Sequence, residues 1–365
     1  MSARVLVMAG GTGGHVFPAL AVAEALRARQ LEVVWMGTRH GLEARVVPEA
    51  GIPVEWITIG GLRGKDLATR LAAPFKVGMA VFQALRIMWR VKPAVVLGMG
   101  GYASGPGGLA AWLTRRPLVI HEQNAIAGTT NRLLSRLAQR VLAAFPGAFL
   151  GGVPVEVVGN PVRASIAALP PPDERLAGRE GRPRLLVMGG SQGARALNEA
   201  VPEALARIPE ALRPEVRHQA GRTTLEQARD AYARCGVEAE VVEFIDDMAA
   251  AYGWADLALC RAGALTVSEL AAAGLPAVLV PFPAAVDDHQ TLNGGYLVAA
   301  GGAVLVPEKQ LGPERLARVL AGLLGDRGRR LDMARRARRA ARPEALAAIE
   351  RALLEAGGLP GEARP

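Results

Sequence analysis

Lysine is almost missing from this chain. There are four, Lys65, Lys76, Lys92 and Lys309, so arginine supplies nearly all the positive charge behind a net +9. Cysteine is scarcer still. Cys235 and Cys260 lack CxxC or secreted-framework spacing, which excludes a disulfide scaffold and fits a reducing compartment. Aromatic residues make up only 4% and no nucleic-acid module is recognisable. The basic charge therefore points to nucleotides or anionic lipid rather than nucleic acid. Acidic residues pair as Asp246 with Asp247 and Asp287 with Asp288, but DxD occurs nowhere. Metal-using sugar transferases hold their ion with such a pair, so no metal is expected. Helix dipoles and an arginine are left to neutralise a leaving diphosphate. Walker and GxGxxG sequences are missing too, which disfavours a P-loop enzyme and a Rossmann dehydrogenase.

A long unbroken apolar helix is also lacking. The uncharged run 93–114 could span a bilayer on paper, yet it carries Gly98, Gly100, Gly101, Gly105, Pro106, Gly107 and Gly108. So many breakers make a poor spanning helix. The run reads as strand, glycine loop and helix start, and no transmembrane segment is expected. A strand candidate begins by Arg4, leaving no room for a signal peptide.

What remains is rich in short apolar runs that alternate with helical patterns, as in parallel sheets covered by helices. Candidate strands are 5–9, 33–36, 54–59, 94–97, 118–121, 141–143 and 155–158, then 184–188, 215–219, 239–243, 256–260, 277–280 and 303–306. With 365 residues, two domains are the default. An internal repeat marks them. Residues 5–13 read VLVMAGGTG and residues 185–193 read LLVMGGSQG, each a buried strand followed by a glycine corner and a helix. The expectation is two doubly wound domains facing each other, joined by a linker around 160–182 with its PPP run at 170–172.

The glycine corners carry the chemistry. Glycines admit close approach of a ligand to the backbone, and amides at a helix start favour an anion. In GGTGGH, residues 10–15, His15 stands where a general base would, or else caps the helix. In GGSQG, residues 189–193, the Ser191 hydroxyl can donate to a phosphate; a tight packing turn is the alternative. RAGALTVSE, residues 261–269, offers turn amides to a diphosphate. There Glu269 can take a ribose diol, or join Thr266 in a capping box, or both. Gln290 in DDHQTLN suits sugar hydroxyls or a solvated helix start. HEQN, residues 121–124, falls at the carboxyl edge of a sheet, the usual place for ligands. Segment 71–91 sets Phe75, Met79, Phe82 and Trp89 among Lys76, Arg86 and Arg90. It reads as a core helix or as a surface entering lipid headgroups, with Trp112 beside Arg115 and Arg116 on a further face.

Together GGTGGHVFPAL, GMGGYASGPGGLAAW, HEQNAIAGTTN, AFPGAF, GNPVR, GGSQGA, EFIDDM and RAGALTVSE resemble the MurG transferase family of bacterial cell-wall synthesis, over about residues 5–290. The resemblance implies a GT-B fold, two Rossmann-like parallel-sheet domains facing across a cleft. Residues 1–161 would bind acceptor and membrane, with a helix at 343–356 packed back on them. Residues 162–342 would bind the donor, and 357–365 would be a flexible tail. The implied reaction moves N-acetylglucosamine from UDP-GlcNAc to undecaprenyl-linked lipid I, with inversion and no cofactor, giving lipid II. Its place would be the cytoplasmic face of the inner membrane, against an anionic surface, with cell-wall and division proteins as further partners.

Residue by residue, the resemblance puts Ile245 on uracil by its backbone and Glu269 on ribose. Gly190, Ser191, Gln192, Ala264, Leu265 and Thr266 would hold phosphate, with Arg163 and Arg261 in the same donor set and Asn124 and Gln290 on the sugar. Thr12, Gly13 and Gly14 would take the acceptor diphosphate, with Tyr102 and Glu122 near it; Glu122 and His15 would be catalytic, His15 as base, held by a carboxylate. Rivals are a GT-B transferase acting on another lipid or small acceptor, a UDP-sugar epimerase, and a non-enzymatic nucleotide-sugar binder.

Overall fold

A computed structural model describes residues 3–60, 73–190 and 193–360. Two compact units divide it. The first runs to Pro161 and takes in the chain again from Pro343; the second is Val162–Arg342.

The first unit holds β1 (Arg4–Met8), β2 (Glu32–Gly37), β3 (Val54–Trp56), β4 (Val95–Gly98), β5 (Leu118–Glu122), β6 (Arg140–Ala143) and β7 (Glu156–Val157). All pair in parallel, in the order β3-β2-β1-β4-β5-β6-β7. Both faces of such a sheet are covered, which is why its strands read as continuous apolar runs. Val5 and Val7 of β1 face one core with Val95, Leu97 and the C-terminal helix residues Ile349, Ala352 and Leu353. Leu6 and Met8 face the other, with Ala84, Ile87 and Met88 of helix Ala73–Val91. Sequence 93–114 does form strand, glycine loop and helix, the last being Ser104–Leu113. Among the described residues no helix is long and apolar enough to cross a membrane.

The second unit holds β8 (Arg184–Met188), β9 (Glu215–Gln219), β10 (Glu240–Val242), β11 (Leu257–Cys260), β12 (Ala277–Leu279) and β13 (Ala303–Leu305). Its order is β10-β9-β8-β11-β12-β13, again all parallel. Both sheets thus reverse direction beside their first strand, at β1/β4 and at β8/β11. Loops leaving the carboxyl ends of strands at such a switch point frame the ligand crevice of open α/β sheets.

Two sequence expectations change. Segment 160–182 is not a free linker: from Val162 it is packed into the second unit. Arg175 donates to the carbonyls of Tyr252, Ala273 and Gly274, and Arg179 reaches Asp256. Nor does a loose tail begin at 357. Gly358 closes the last helix in a left-handed conformation, Leu359 N donates to Leu354 O, and Leu359 joins the first core. Residues 361–365 lie outside the described residues.

Candidate active site

In the first unit two glycine loops interlock at the switch point. After β1 the chain passes Gly10 and Gly11 (φ +94°) into helix Gly13–Ala28. After β4 it passes Gly100 (φ +89°) and Gly101 (φ +81°). A Cβ on Gly101 would lie 2.2 Å from the Gly10 carbonyl oxygen, so only glycine fits between the loops. A Cβ on Gly100 would lie 2.9 Å from His15 Nδ1, which places the imidazole directly over that loop. Buried Glu43 holds the first loop from beneath. Its carboxylate accepts from Gly11 N (2.9 Å), Thr38 N (3.1 Å) and Thr38 Oγ1 (2.8 Å). Thr12 is the helix N-cap and makes no side-chain cap, so Thr12, Gly13 and Gly14 present the open end of a helix. Tyr102 is exposed on the second loop.

His15 does not cap its helix. Its Nδ1 meets Gln123 Oε1 at 2.7 Å. Gln123 Nε2 in turn approaches His121 Nδ1 (3.0 Å) and His121 O (3.1 Å), and His121 Nε2 meets Gly159 O at 2.9 Å. Full burial lowers the His121 pKa to about 4, so this ring is neutral. The expectation that a carboxylate holds His15 is therefore corrected: an amide does. Glu122, expected beside the acceptor, is 1% exposed and has another task. One oxygen accepts from Asn124 N and Nδ2, the other from Gly128 N and Asn131 Nδ2. It ties the loop after β5 to the following helix, and no oxygen is left over for a proton relay.

The second unit repeats the backbone device. Gly189, Gly190 (φ +81°) and Gly193 (φ +76°) lead from β8 into helix Arg195–Ala206, and a Cβ on Gly193 would lie 2.4 Å from Ala220 O at the exit of β9. Ser191 and Gln192 lie outside the described residues. After β11, Gly263 is the N-cap of helix Ala264–Ala273, so the amides of Ala264, Leu265 and Thr266 form its first turn.

Glu269 makes no capping box with Thr266, because the helix starts earlier than that pattern requires. Its Oε1 accepts from Arg163 Nε (3.1 Å) and Nη2 (2.9 Å), and its Oε2 accepts from the Tyr252 hydroxyl (3.0 Å). Tyr252 is fully buried; burial, then the Glu269 charge, raises its pKa well above the ordinary value, keeping it a donor. Ile245 sits between β10 and helix Met248–Trp254, half-buried, with no backbone hydrogen bond among the described residues. Gln290 Oε1 accepts from Ala262 N (3.2 Å) and Phe282 N (2.9 Å), which joins two strand exits rather than pointing a solvated helix start at water. Arg261 is a correction. Its guanidinium meets Glu308 at 2.5 Å, donates to Val280 O and Pro281 O, and lies over Phe282. That charge is spent inside the unit and is not the free cation expected for a diphosphate.

A third feature lies on helix Ala73–Val91. Ala80, Ala84, Ile87, Met88 and Val91 are buried, while Phe75 (75% exposed), Met79, Phe82 and Trp89 are bare. At spacings of three, four and seven they form one stripe opposite the buried face. Lys76 and Arg86 are exposed beside it, and Trp112 and Leu113 are bare on the neighbouring helix. The helix is thus both core and surface.

Sequence reasoning singled out HEQN but missed Gln123 and His121 individually, and it missed Glu43 and Tyr252. The one available signal was the polar HEQN placed directly after a strand of the central sheet.

Residues 5–143 match the Glycosyltransferase family 28 N-terminal domain and residues 184–349 its C-terminal domain. A protein of Nitrosococcus oceani named UDP-N-acetylglucosamine–N-acetylmuramyl-(pentapeptide) pyrophosphoryl-undecaprenol N-acetylglucosamine transferase is 61% identical, over 97% of this chain and 99% of that one. The crystal structure of Acinetobacter baumannii MurG superposes with a TM-score of 0.86 at 41% identity, covering 97% of this chain and 99% of the other. A putative UDP-N-acetylglucosamine 2-epimerase from Listeria monocytogenes, at 16% identity, a TM-score of 0.67 and 97% and 96% coverage, shares the fold alone.

Proposed function

This chain belongs to the MurG family within glycosyltransferase family 28, and from that premise we propose how its two glycine corners divide the reaction. The chain is a glycosyltransferase that moves N-acetylglucosamine from UDP-GlcNAc to lipid I, forming lipid II for peptidoglycan synthesis. The first corner takes the acceptor. The amides around Thr12, Gly13 and Gly14 hold its diphosphate, Tyr102 stands alongside, and His15 takes the proton from the attacking muramyl hydroxyl. The second corner takes the donor. Ile245 offers its backbone to uracil, Glu269 takes the ribose diol, and the first-turn amides of Ala264, Leu265 and Thr266, with Gly190, Ser191 and Gln192, face the diphosphate. Asn124 and Gln290 serve the transferred sugar.

In one displacement the hydroxyl oxygen bonds to the anomeric carbon, the bond to UDP breaks, and the configuration inverts. Charge develops on the departing diphosphate, where fixed helix-end dipoles are worth most because they need no reorganisation. Arg163 brings a positive charge to the same region, held on Glu269. The observation that carries the reading is the repeat of one device, a glycine corner at the switch point of each sheet. Radiolabelled UDP-GlcNAc with a short-chain lipid I analogue should give lipid II product in excess EDTA. A metal requirement would overturn the dipole account, and isomerised UDP-sugar without acceptor would favour an epimerase.

The exposed stripe of Phe75, Met79, Phe82 and Trp89, with Trp112, is the surface that meets anionic lipid at the cytoplasmic face of the inner membrane; cell-wall and division proteins would be met there. Burial of each large apolar side chain contributes about 1.5–3 kcal/mol. Phe82→Asp with Trp89→Asp should therefore abolish co-sedimentation with anionic vesicles, while undiminished binding would remove the stripe from this role.

A further inference from the structure

We infer that Gln123 is a positioning residue that fixes the tautomer of His15, with the hydrogen on Nδ1 and the lone pair on Nε2. This rests on the reading of His15 as the base.

The argument starts at the far end of the hydrogen-bond chain. A peptide carbonyl can only accept, so His121 Nε2, 2.9 Å from Gly159 O, carries its hydrogen. His121 is buried and neutral, so its Nδ1 is a bare acceptor. The Gln123 amide group facing it must then be the NH2. That orientation is fixed twice, because the same nitrogen lies 3.1 Å from a second acceptor, His121 O. Turning the amide round would set an oxygen against two acceptors. Its Oε1 therefore faces His15 Nδ1 at 2.7 Å, and since an amide oxygen only accepts, Nδ1 bears the hydrogen. Nε2 is left as the basic nitrogen.

A further hydrogen bond and close packing frame this chain. Asn160 Nδ2 donates to Gln123 O at 3.0 Å, and His15 rests on Gly100, where even a Cβ would not fit. Gln123 is itself 1% exposed. A carboxylate in its place would also stabilise the protonated ring; a neutral amide sets the tautomer without holding the proton afterwards.

Two-bond ¹H–¹⁵N correlation spectra of ¹⁵N-histidine-labelled protein, assigned with His15→Gln, read the tautomer directly. The wild type should show His15 protonated at Nδ1. Gln123→Met should shift it toward the Nε2-protonated form and lower kcat about 10- to 100-fold, with donor KM unchanged within about twofold. Gln123→Glu keeps an acceptor opposite Nδ1 and should restore that tautomer and part of kcat. An Nε2-protonated His15 in the wild type overturns the inference, and so does a folded Gln123→Met enzyme with wild-type kcat. If Gln123→Met fails to fold, the wild-type spectrum still decides. Full turnover by His15→Ala would instead remove the base assignment and leave the tautomer result standing, so the two failures are distinct.

Discussion

In the first unit the glycine corner is served by side chains hydrogen-bonded in series, His15, Gln123 and His121, the last of them buried and neutral. Its buried carboxylates, Glu43 and Glu122, are occupied with backbone amides, the Thr38 hydroxyl and asparagine side chains. In the second, the exit of β11 and the helix after it carry ion pairs, Arg261 with Glu308 and Arg163 with Glu269. The backbone device is shared; the chemistry built on it is not. Moving a proton calls for a nitrogen whose lone pair is presented and whose neighbours do not trap charge. Holding a nucleotide diphosphate calls for charges and dipoles already in place. Under the proposed division of the reaction, the first corner answers the former need, and the helix-end amides with the Arg163–Glu269 pair answer the latter.

The largest expected effect breaks that contrast on the first side. His15→Ala should cut kcat by roughly 10²–10⁴ with donor KM kept; an unchanged kcat would end its part as base. On the second side the signature should be reversed. Glu269→Gln removes a charged acceptor whose hydrogen bonds are worth about 1.5–3 kcal/mol, so UDP affinity in a calorimeter should fall about 10- to 100-fold. Its kcat at saturating donor should change far less. Equal affinity would mean that Glu269 serves only Arg163 and Tyr252.

The smallest effect concerns acid. Each unit has one buried neutral histidine, His121 with its pKa lowered to about 4 and His218 to about 3, both by burial. Below the ordinary value of 6.5 the unfolded chain takes up protons that the folded one refuses. Stability is then full above about pH 6.5 and is lost on acidification, down to about pH 4 for His121 and about 3 for His218. His218→Gln should flatten the fall of Tm between pH 6.5 and 4; an unaltered slope would assign the acid sensitivity elsewhere.

Every expected strand is present: most are short buried apolar runs of a parallel sheet, which survive any tertiary detail, while β7, β9 and β10 carry charged residues among theirs. The glycine corners were legible for a similar reason: few residues other than glycine tolerate those φ angles. Long-range partners were not legible. Nothing near Arg261 announces that Glu308 will neutralise it, and nothing in HEQN separates the glutamate that braces a loop from the glutamine that touches His15. The capping box misled through register. Thr266 and Glu269 have the right spacing, but the helix begins at Ala264, so Thr266 is already inside it.

The C-terminal helix Ala345–Gly357 completes the core that Val5 and Val7 began. On the ribosome that order matters. The segment Val162–Arg342 emerges whole and can fold while, in the earlier half, the face of β4, β5 and β6 still lacks the helix that packs on it. Synthesis must run past Gly357 before that face is sealed. The half that emerges first is thus completed only after the second has emerged, and until then part of its apolar surface is open to chaperones.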